Sequence, residues 1–358
     1  MATDFLWYVV PQDGPYPWEP EGARSIDLDY LKLLGGVVER SGFSGALFAT
    51  AAHDVWVLGT ALATRAKKLR PLLAVHPGLI SPTLLAKMAL TFDTLFDGRL
   101  IFNVINGDTP TLRTYGLHVE HDERYELAGE YWDIVKRLTA GETVTFKGKH
   151  FDIENASVNG LKPVQFPHVP LWFGGSSEAG MQLAAKHIDV YLSWGEPPEQ
   201  LREKITRLRA LAEQQGRQIR FGLRVHTIVR DTDAEAWAWA DNLLRVTRRE
   251  TVDRIVAASK ANDSVGIQRQ YASHGGLLPD SAKDLEVYPN VWPGMSLLRH
   301  GPGTALVGSH ASVIERLQEF ESLGIDTFIL SGNPLLEEAL HVSETILPAL
   351  GVKSGTTT

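Results

Sequence analysis

The sequence predicts an α/β fold, a closed (β/α)8 TIM barrel forming one domain with insertions, the longest after the seventh strand. Three observations carry this expectation. Short apolar runs of strand length recur along the chain, and each gives way to a longer amphipathic stretch, the alternation that parallel βα units produce. Eight such runs occur, and a sheet of eight that closes on itself leaves no exposed edge strand, which favours a barrel over an open doubly wound sheet. No GxGxxG turn follows any run and no P-loop is present, so the dinucleotide fingerprint of the open sheet is missing.

The expected strands are 5–11, 45–50, 70–76, 100–106, 170–174, 189–194, 221–229 and 327–331, several of which end in polar or Gly residues. Amphipathic stretches fall between them at 28–42, 54–66, 82–95, 122–138, 197–215, 234–246 and 310–324, where the outer helices of a barrel belong. Two stretches break the alternation: 143–170, short and turn-rich, and about 249–308. They read as insertions after the fourth and seventh strands. Loops on the C-terminal face of a barrel build its active site, so 249–308 is a candidate lid, with a static surface subdomain as the alternative. Residues 1–350 then form the barrel domain and 351–358 a flexible tail.

Composition narrows the function. A chain of 358 residues suits one barrel of about 250 residues enlarged by insertions, and 44% hydrophobic with 22% charged residues supplies a large core. A formal net charge of −8 with scattered Lys and Arg repels polyanions, so no nucleic-acid partner is expected. The lack of cysteine removes disulfides, thiolate metal sites and a Cys nucleophile. No HExxH or similar spacing occurs, and His118 with His121 is only a weak pair, so no metal is expected. Without a basic-then-apolar leader or a run near the ~18 apolar residues that span a bilayer, the chain reads as cytoplasmic, with no membrane partner.

The segment Phe221-Gly-Leu-Arg-Val-His-Thr-Ile-Val229 is the most informative. Strand alternation puts Phe221, Leu223 and Val225 on one face, toward the helices, and Gly222, Arg224 and His226 on the other, inside the barrel. A guanidinium there costs several kcal/mol unless a carboxylate or a bound anion compensates it, so Arg224 marks either an internal ion pair or an anion site. Trp194 ends the sixth strand before Gly195-Glu-Pro-Pro198 and belongs at the barrel mouth, as pocket wall or as core packing. Phe173-Gly-Gly-Ser-Ser177 leads into a helix near Glu178; its glycines and serine hydroxyls suit a phosphate at the helix N-terminus, or Ser177 is a plain N-cap. Asn103-Val-Ile-Asn-Gly-Asp108 offers amides to a heterocycle or forms a turn, and His121-Asp-Glu-Arg-Tyr125 offers donors or a solvated face.

Together these segments resemble the FMNH2-dependent alkanesulfonate monooxygenases of the bacterial luciferase-like superfamily over nearly the whole chain. The matching stretches are Phe173-Gly-Gly-Ser-Ser177, Leu192-Ser-Trp-Gly-Glu-Pro-Pro198, Phe221-Gly-Leu-Arg-Val-His226, Asp263-Ser-Val-Gly266, Pro289-Asn-Val-Trp292 and Gly303-Thr-Ala-Leu-Val-Gly308. The resemblance implies a homotetramer, a movable lid, and reduced FMN as co-substrate with O2, delivered by a separate NAD(P)H-dependent FMN reductase. It implies that Ser176, Ser177 and Tyr125 contact the FMN phosphate and that Asn103 lies beside the isoalloxazine ring. It assigns Trp194, Arg224 and His226 to the sulfonate pocket and Arg299, in Leu298-Arg-His-Gly301, to the lid. The implied reaction cleaves the C–S bond of an organosulfonate to an aldehyde and sulfite. A guanidinium with a free pKa above 12 is a poor base, so Arg224 is expected to clamp the anion while His226 handles the proton.

Departures from the family pattern cluster near the mouth. The first strand is followed by Pro11-Gln-Asp-Gly14 in place of a histidine, and the loop after the second is shortened to Ala51-Ala-His-Asp54. His76 replaces an arginine, and Asn333-Pro-Leu335 replaces Tyr-Pro-His. These changes bear on the substrate's carbon side and on proton transfer. A relative that oxidises a sulfone or another small molecule, or a flavin-binding barrel without turnover, are the alternatives.

Overall fold

Eight parallel strands, β1 (Asp4–Val9), β2 (Gly45–Phe48), β3 (Arg70–Val75), β4 (Ile101–Val104), β5 (Leu171–Phe173), β6 (Val190–Trp194), β7 (Arg220–Arg230) and β8 (Thr327–Ser331), form the computed structural model's barrel. They pair in chain order, and β8 pairs with β1 to close the ring. The structure describes residues 3–49, 53–158 and 160–353; the shortened loop at 51–52 and the tail from 354 lie outside the described residues. All eight expected strands are present. Most are shorter at their C-terminal ends than the apolar runs, because Pro11, His76, Asn106 and Gly174 leave the ladder to build the mouth.

The helices around the ring are α1 (Leu28–Arg40), α2 (Val55–Ala63), α3 (Pro82–Leu95), α4 (His121–Thr139), α5 (Glu178–His187), α6 (Pro198–Gln214), α7 (Asp233–Val246), α8 (Arg249–Ala261), α9 (Val265–His274), α10 (His310–Ser322) and α11 (Leu335–Thr345). Asp27, Asp54, Ser81, Ser177 and Ser309 each accept a backbone N–H at a helix start, and Thr232 with Glu235 forms a capping box. Pro198 opens α6, where its missing N–H costs nothing. Among the described residues no helix is long and apolar enough to cross a membrane.

Alternation along the strands divides the interior in two. Phe5, Trp7, Phe102, Phe173, Phe221, Leu223, Val225 and Phe328 pack outward against the helices, while Leu6, Leu47, Leu72, Ile101, Trp172, Leu192 and Ile329 fill the barrel. Arg224 stands beside Ile329 in register, and His226 beside Ser331, so both point inward above the filled layer.

The insertion after β7 is only in part a cover. Residues Ala305–Ser309 are a strand parallel to β7, in register from His226 to Arg230, where β6 has already ended opposite Arg224. The expected boundary at 308 therefore falls inside the sheet. Ile228, Trp237, Leu243, Val252, Trp292, Leu298 and Val307 form a second core that anchors most of the insertion. Its least anchored helix is α9, which buries only Gln270 and His274. The other insertion holds a hairpin, Val144–Lys147 with Asp152–Ala156, packed on α3 and α4. A short helix, Thr109–Thr114, also follows β4.

Candidate active site

Arg224 is 3% exposed. One of its nitrogens, Nη1, donates to the Val225 carbonyl at 2.8 Å, while Nε and Nη2 are buried without a hydrogen-bond partner. Among the described residues no carboxylate pairs with it, so the internal ion pair left open by the sequence is not what compensates this charge. Its guanidinium lies 4.5 Å from the centre of the Tyr8 ring. Burial lowers its pKa to about 9, the Tyr8 hydroxyl opposes the shift, and the Arg299 charge adds to it. The free pKa therefore misjudges this arginine, although it remains charged at neutral pH.

Arg299 reaches in from the insertion to the same place. Its Nη1 is 3.0 Å from His226 Nε2, its Nη2 donates to the Tyr8 hydroxyl at 3.3 Å, and its guanidinium lies 5.4 Å from the Tyr8 ring centre. His226 is buried, with Nδ1 2.7 Å from Ser331 Oγ and Nε2 3.0 Å from the Pro302 carbonyl. Burial first, then the charges of Arg224 and Arg299, hold its pKa well below the ordinary histidine value, against the pull of the Pro302 carbonyl. The imidazole is therefore neutral at physiological pH. Two cations and a neutral base packed around one tyrosine constitute an anion-seeking site.

A cavity of about 40 Å³ opens beside them, lined by Tyr8, His226, Arg299 and Ser331 together with Gln12, Trp18, Asn333 and Leu335. The room is that of a few water molecules. The loops that depart from the family pattern after the first and eighth strands thus share one wall, and Asp13 Oδ1 ties them by accepting from Leu335 N at 2.6 Å. Trp194 is beside Arg224 in register but does not line this cavity; its indole lies against Gly266 of α9, where a Cβ would approach it to 3.1 Å.

A second group of expected residues gathers at the start of α5. Ser177 Oγ accepts from Gly180 N at 3.1 Å, so it is the N-cap, and it also donates to the Tyr125 hydroxyl at 3.0 Å. Both glycines before it are required: a Cβ on Gly174 would lie 2.5 Å from the Leu192 carbonyl oxygen, and one on Gly175 2.3 Å from the Phe173 ring. Tyr191 fixes the turn by donating to the Gly175 carbonyl at 2.7 Å. Ser176 and Ser177, the helix N–H groups and Tyr125 form a cradle suited to a phosphate.

Arg124, in a run the sequence reads as either donors or a solvated face, is 4% exposed, and its Nε and Nη1 have no partner. Its Nη2 donates at 3.0 Å to Asp263, in the loop before α9, and Thr109 Oγ1 donates to the same carboxylate oxygen at 2.8 Å. Helical spacing could have revealed it, since Arg124, Leu127, Ala128 and Tyr131 form one buried face of α4. Between the two groups, Asn103 points inward on β4 and both amide atoms of buried Asn106 lack a partner. Unsatisfied amide donors and acceptors at the mouth fit a heterocycle rich in ring nitrogens and carbonyls. His76 is buried at the end of β3, where burial lowers its pKa.

A barrel with a helix-terminus cradle and polar side chains converging on its C-terminal mouth defines the class, a (β/α)8-barrel enzyme. The chain belongs to the luciferase-like monooxygenase family, whose model matches residues 3–327. Among solved structures, a riboflavin lyase with modified FMN and substrate riboflavin is similar at 20% identity, with a TM-score of 0.81 over 100% of this chain and 94% of that one. An EDTA monooxygenase from Chelativorans sp. BNC1 is 19% identical, with a TM-score of 0.76 over 99% of this chain and 95% of its own. A long-chain alkane monooxygenase is 20% identical, with a TM-score of 0.74 over 98% and 91%. At these identities the likeness is one of fold.

Proposed function

We propose that the protein is the oxygenase of a two-component system, using reduced FMN and O2 to cleave the C–S bond of an organosulfonate, with FMNH2 supplied by an NAD(P)H-dependent FMN reductase. The observation that carries this reading is the pair Arg224 and Arg299 packed around Tyr8 with no carboxylate paired to either among the described residues, a site with uncompensated positive charge. Ser176, Ser177 and Tyr125 would hold the FMN phosphate, and Asn103 with Asn106 would face its ring. When bound, reduced flavin supplies the electrons that divide dioxygen between product and water. In balance, RCH2SO3⁻, O2 and two flavin hydrogens give RCHO, HSO3⁻ and H2O.

Arg299 meets the anion at the cavity, and Arg224 supplies the deeper counter-charge against the Tyr8 ring. Neutral His226 accepts the proton that the oxidised carbon releases, a task open to an imidazole and closed to a charged guanidinium. Trp194 supports α9 over the mouth. A homotetramer in the cytoplasm accompanies this reading, and exposed Leu33, Val57, Leu84 and Leu95 on α1–α3 support association.

The test is oxygen uptake with enzymatically reduced FMN across a panel of sulfonates, with sulfite and aldehyde measured together. Each must appear once per sulfonate consumed, and a thiol-reagent assay for sulfite is clean because the chain has no cysteine. Oxygen uptake that yields hydrogen peroxide and never sulfite overturns the substrate class. The wall formed by Gln12, Trp18, Asn333 and Leu335 favours a second reading, oxidation of a sulfone or another neutral oxygenated molecule. Sulfones belong on the same panel.

A further inference from the structure

We propose that Arg299 decides which nitrogen of His226 carries the proton, with Ser331 as the positioning residue that accommodates either choice. The argument begins at Nε2, which lies 3.0 Å from Arg299 Nη1 and 3.0 Å from the Pro302 carbonyl oxygen. A guanidinium only donates and a carbonyl only accepts, so one ring nitrogen cannot satisfy both. The hydroxyl of Ser331, 2.7 Å from Nδ1, both donates and accepts, and so it follows whichever form Nε2 adopts. With no anion bound, a doubly protonated ring has no place here: His226 is 2% exposed and flanked by two guanidiniums, with no carboxylate paired to them among the described residues.

With Arg299 in place, a hydrogen on Nε2 would face the N–H groups of a cation. The proton therefore resides on Nδ1, donated to Ser331 Oγ, and the Nε2 lone pair accepts from Arg299. With the guanidinium withdrawn, the ring gains more from Nε2–H donating to Pro302, and the Ser331 hydroxyl turns to donate to Nδ1. The carbonyl stays in reach when the arginine leaves, because Thr304, two residues on, accepts from His226 N at 2.9 Å and donates to the Gly195 carbonyl at 2.7 Å.

Insertion of the arginine thus arms the base. Only the Nδ1–H form presents a lone pair at Nε2, the nitrogen that Arg299 meets beside the cavity; in the other form the lone pair is turned toward buried Ser331. A substrate anion that takes over the Arg299 N–H while the guanidinium stays beside the ring uncovers that lone pair for a proton from the substrate, and the anion's own charge offsets the imidazolium so formed. The inference rests on reading His226 and Arg299 as parts of one anion site, not on the identity of the anion.

The experiment is nitrogen-15 NMR of the full chain carrying labelled histidine, at neutral pH and without flavin or substrate. The His226 signals are assigned by their disappearance in His226→Gln. The wild type should show protonated Nδ1 and unprotonated Nε2. Arg299→Ala, and Arg299→Met, which keeps the aliphatic stem, should both shift the tautomer ratio toward Nε2–H by about tenfold or more, the worth of one charge-assisted hydrogen bond. Arg299→Lys keeps a cationic donor and should retain the wild-type form. Ser331→Ala should weaken the preference without reversing it. The same tautomer in the wild type and both neutral variants, or an imidazolium in the wild type, overturns the proposal. Absence of sulfite in the turnover assay would leave this result standing, and failure here would leave sulfonate turnover untouched.

Discussion

Replacing Arg224 with methionine should stabilise the protein while destroying its activity, because the same buried charge is a burden to the fold and the counter-charge of the site. Two of its three guanidinium nitrogens are buried without partners, and among the described residues no carboxylate answers it. Exchanging buried charged groups for apolar residues of similar size often gains about 1–4 kcal/mol even when the charges were paired, so an unpaired one should fall within or above that range. Unfolding entropy of about 2.1 cal/mol/K per residue over 358 residues converts this to a rise in Tm of about 1–5 °C. On the other side, truncating one partner of a buried charged contact costs about 2–5 kcal/mol, so kcat/KM for a sulfonate should fall by about 30- to 5,000-fold. Arg224→Lys should recover little of this, since a point charge does not reproduce the planar fork. Calorimetry and steady-state oxygen uptake on one preparation read both quantities. A variant less stable than the wild type by several kcal/mol, or one with near-wild-type kcat/KM, refutes the reasoning.

The pH dependence follows from the same group, whose folded pKa of about 9 lies below its unfolded value. Above pH 9 the unfolded chain retains the proton that the folded chain has lost, so wild-type stability gains on the Met variant as pH rises and the Tm gap between them narrows. KM for the anion should rise tenfold per pH unit above about 9, and a flat KM between pH 8 and 10 would remove Arg224 from the site. Limited proteolysis should cut first near α9, between residues 262 and 277, and reduced FMN with substrate should slow that cut. Cleavage equally fast with and without ligands means a static subdomain. Gly174→Ala should weaken FMN binding at least tenfold in a fluorescence titration while preserving the circular dichroism spectrum, since its Cβ meets the Leu192 carbonyl oxygen at 2.5 Å; unchanged affinity would move the phosphate elsewhere.

The fold was legible because both of its periodicities are local. Apolar runs and amphipathic stretches show the eight units, and strand alternation alone turns Arg224 and His226 inward. What escaped was mostly set by contacts distant in sequence. Ser331 ends an apolar run, and only the β7–β8 register places it against His226. Tyr8 sits within the run read as the first strand, and its role depends on guanidiniums more than 200 residues away. Arg124 was concealed by charged neighbours although its helical spacing was visible. The strand at 305–309 is also visible as an apolar run, but the expected insertion takes it in as far as 308.

β7 is eleven residues long and belongs to two assemblies: its first half to the barrel ring, its second to the added strand and the second core. The residues where it passes from one to the other are Arg224 and His226. The barrel and its insertion are therefore not separable modules joined by a hinge but share one girder, and the reactive side chains are mounted at its mid-span. An engineer who exchanged the insertion between barrels at its apparent ends, 249 and 308, would leave half of β7 facing a foreign neighbour. The exchangeable unit runs from His226 to Ser309, and retuning the cover means rebuilding the strand that carries the chemistry.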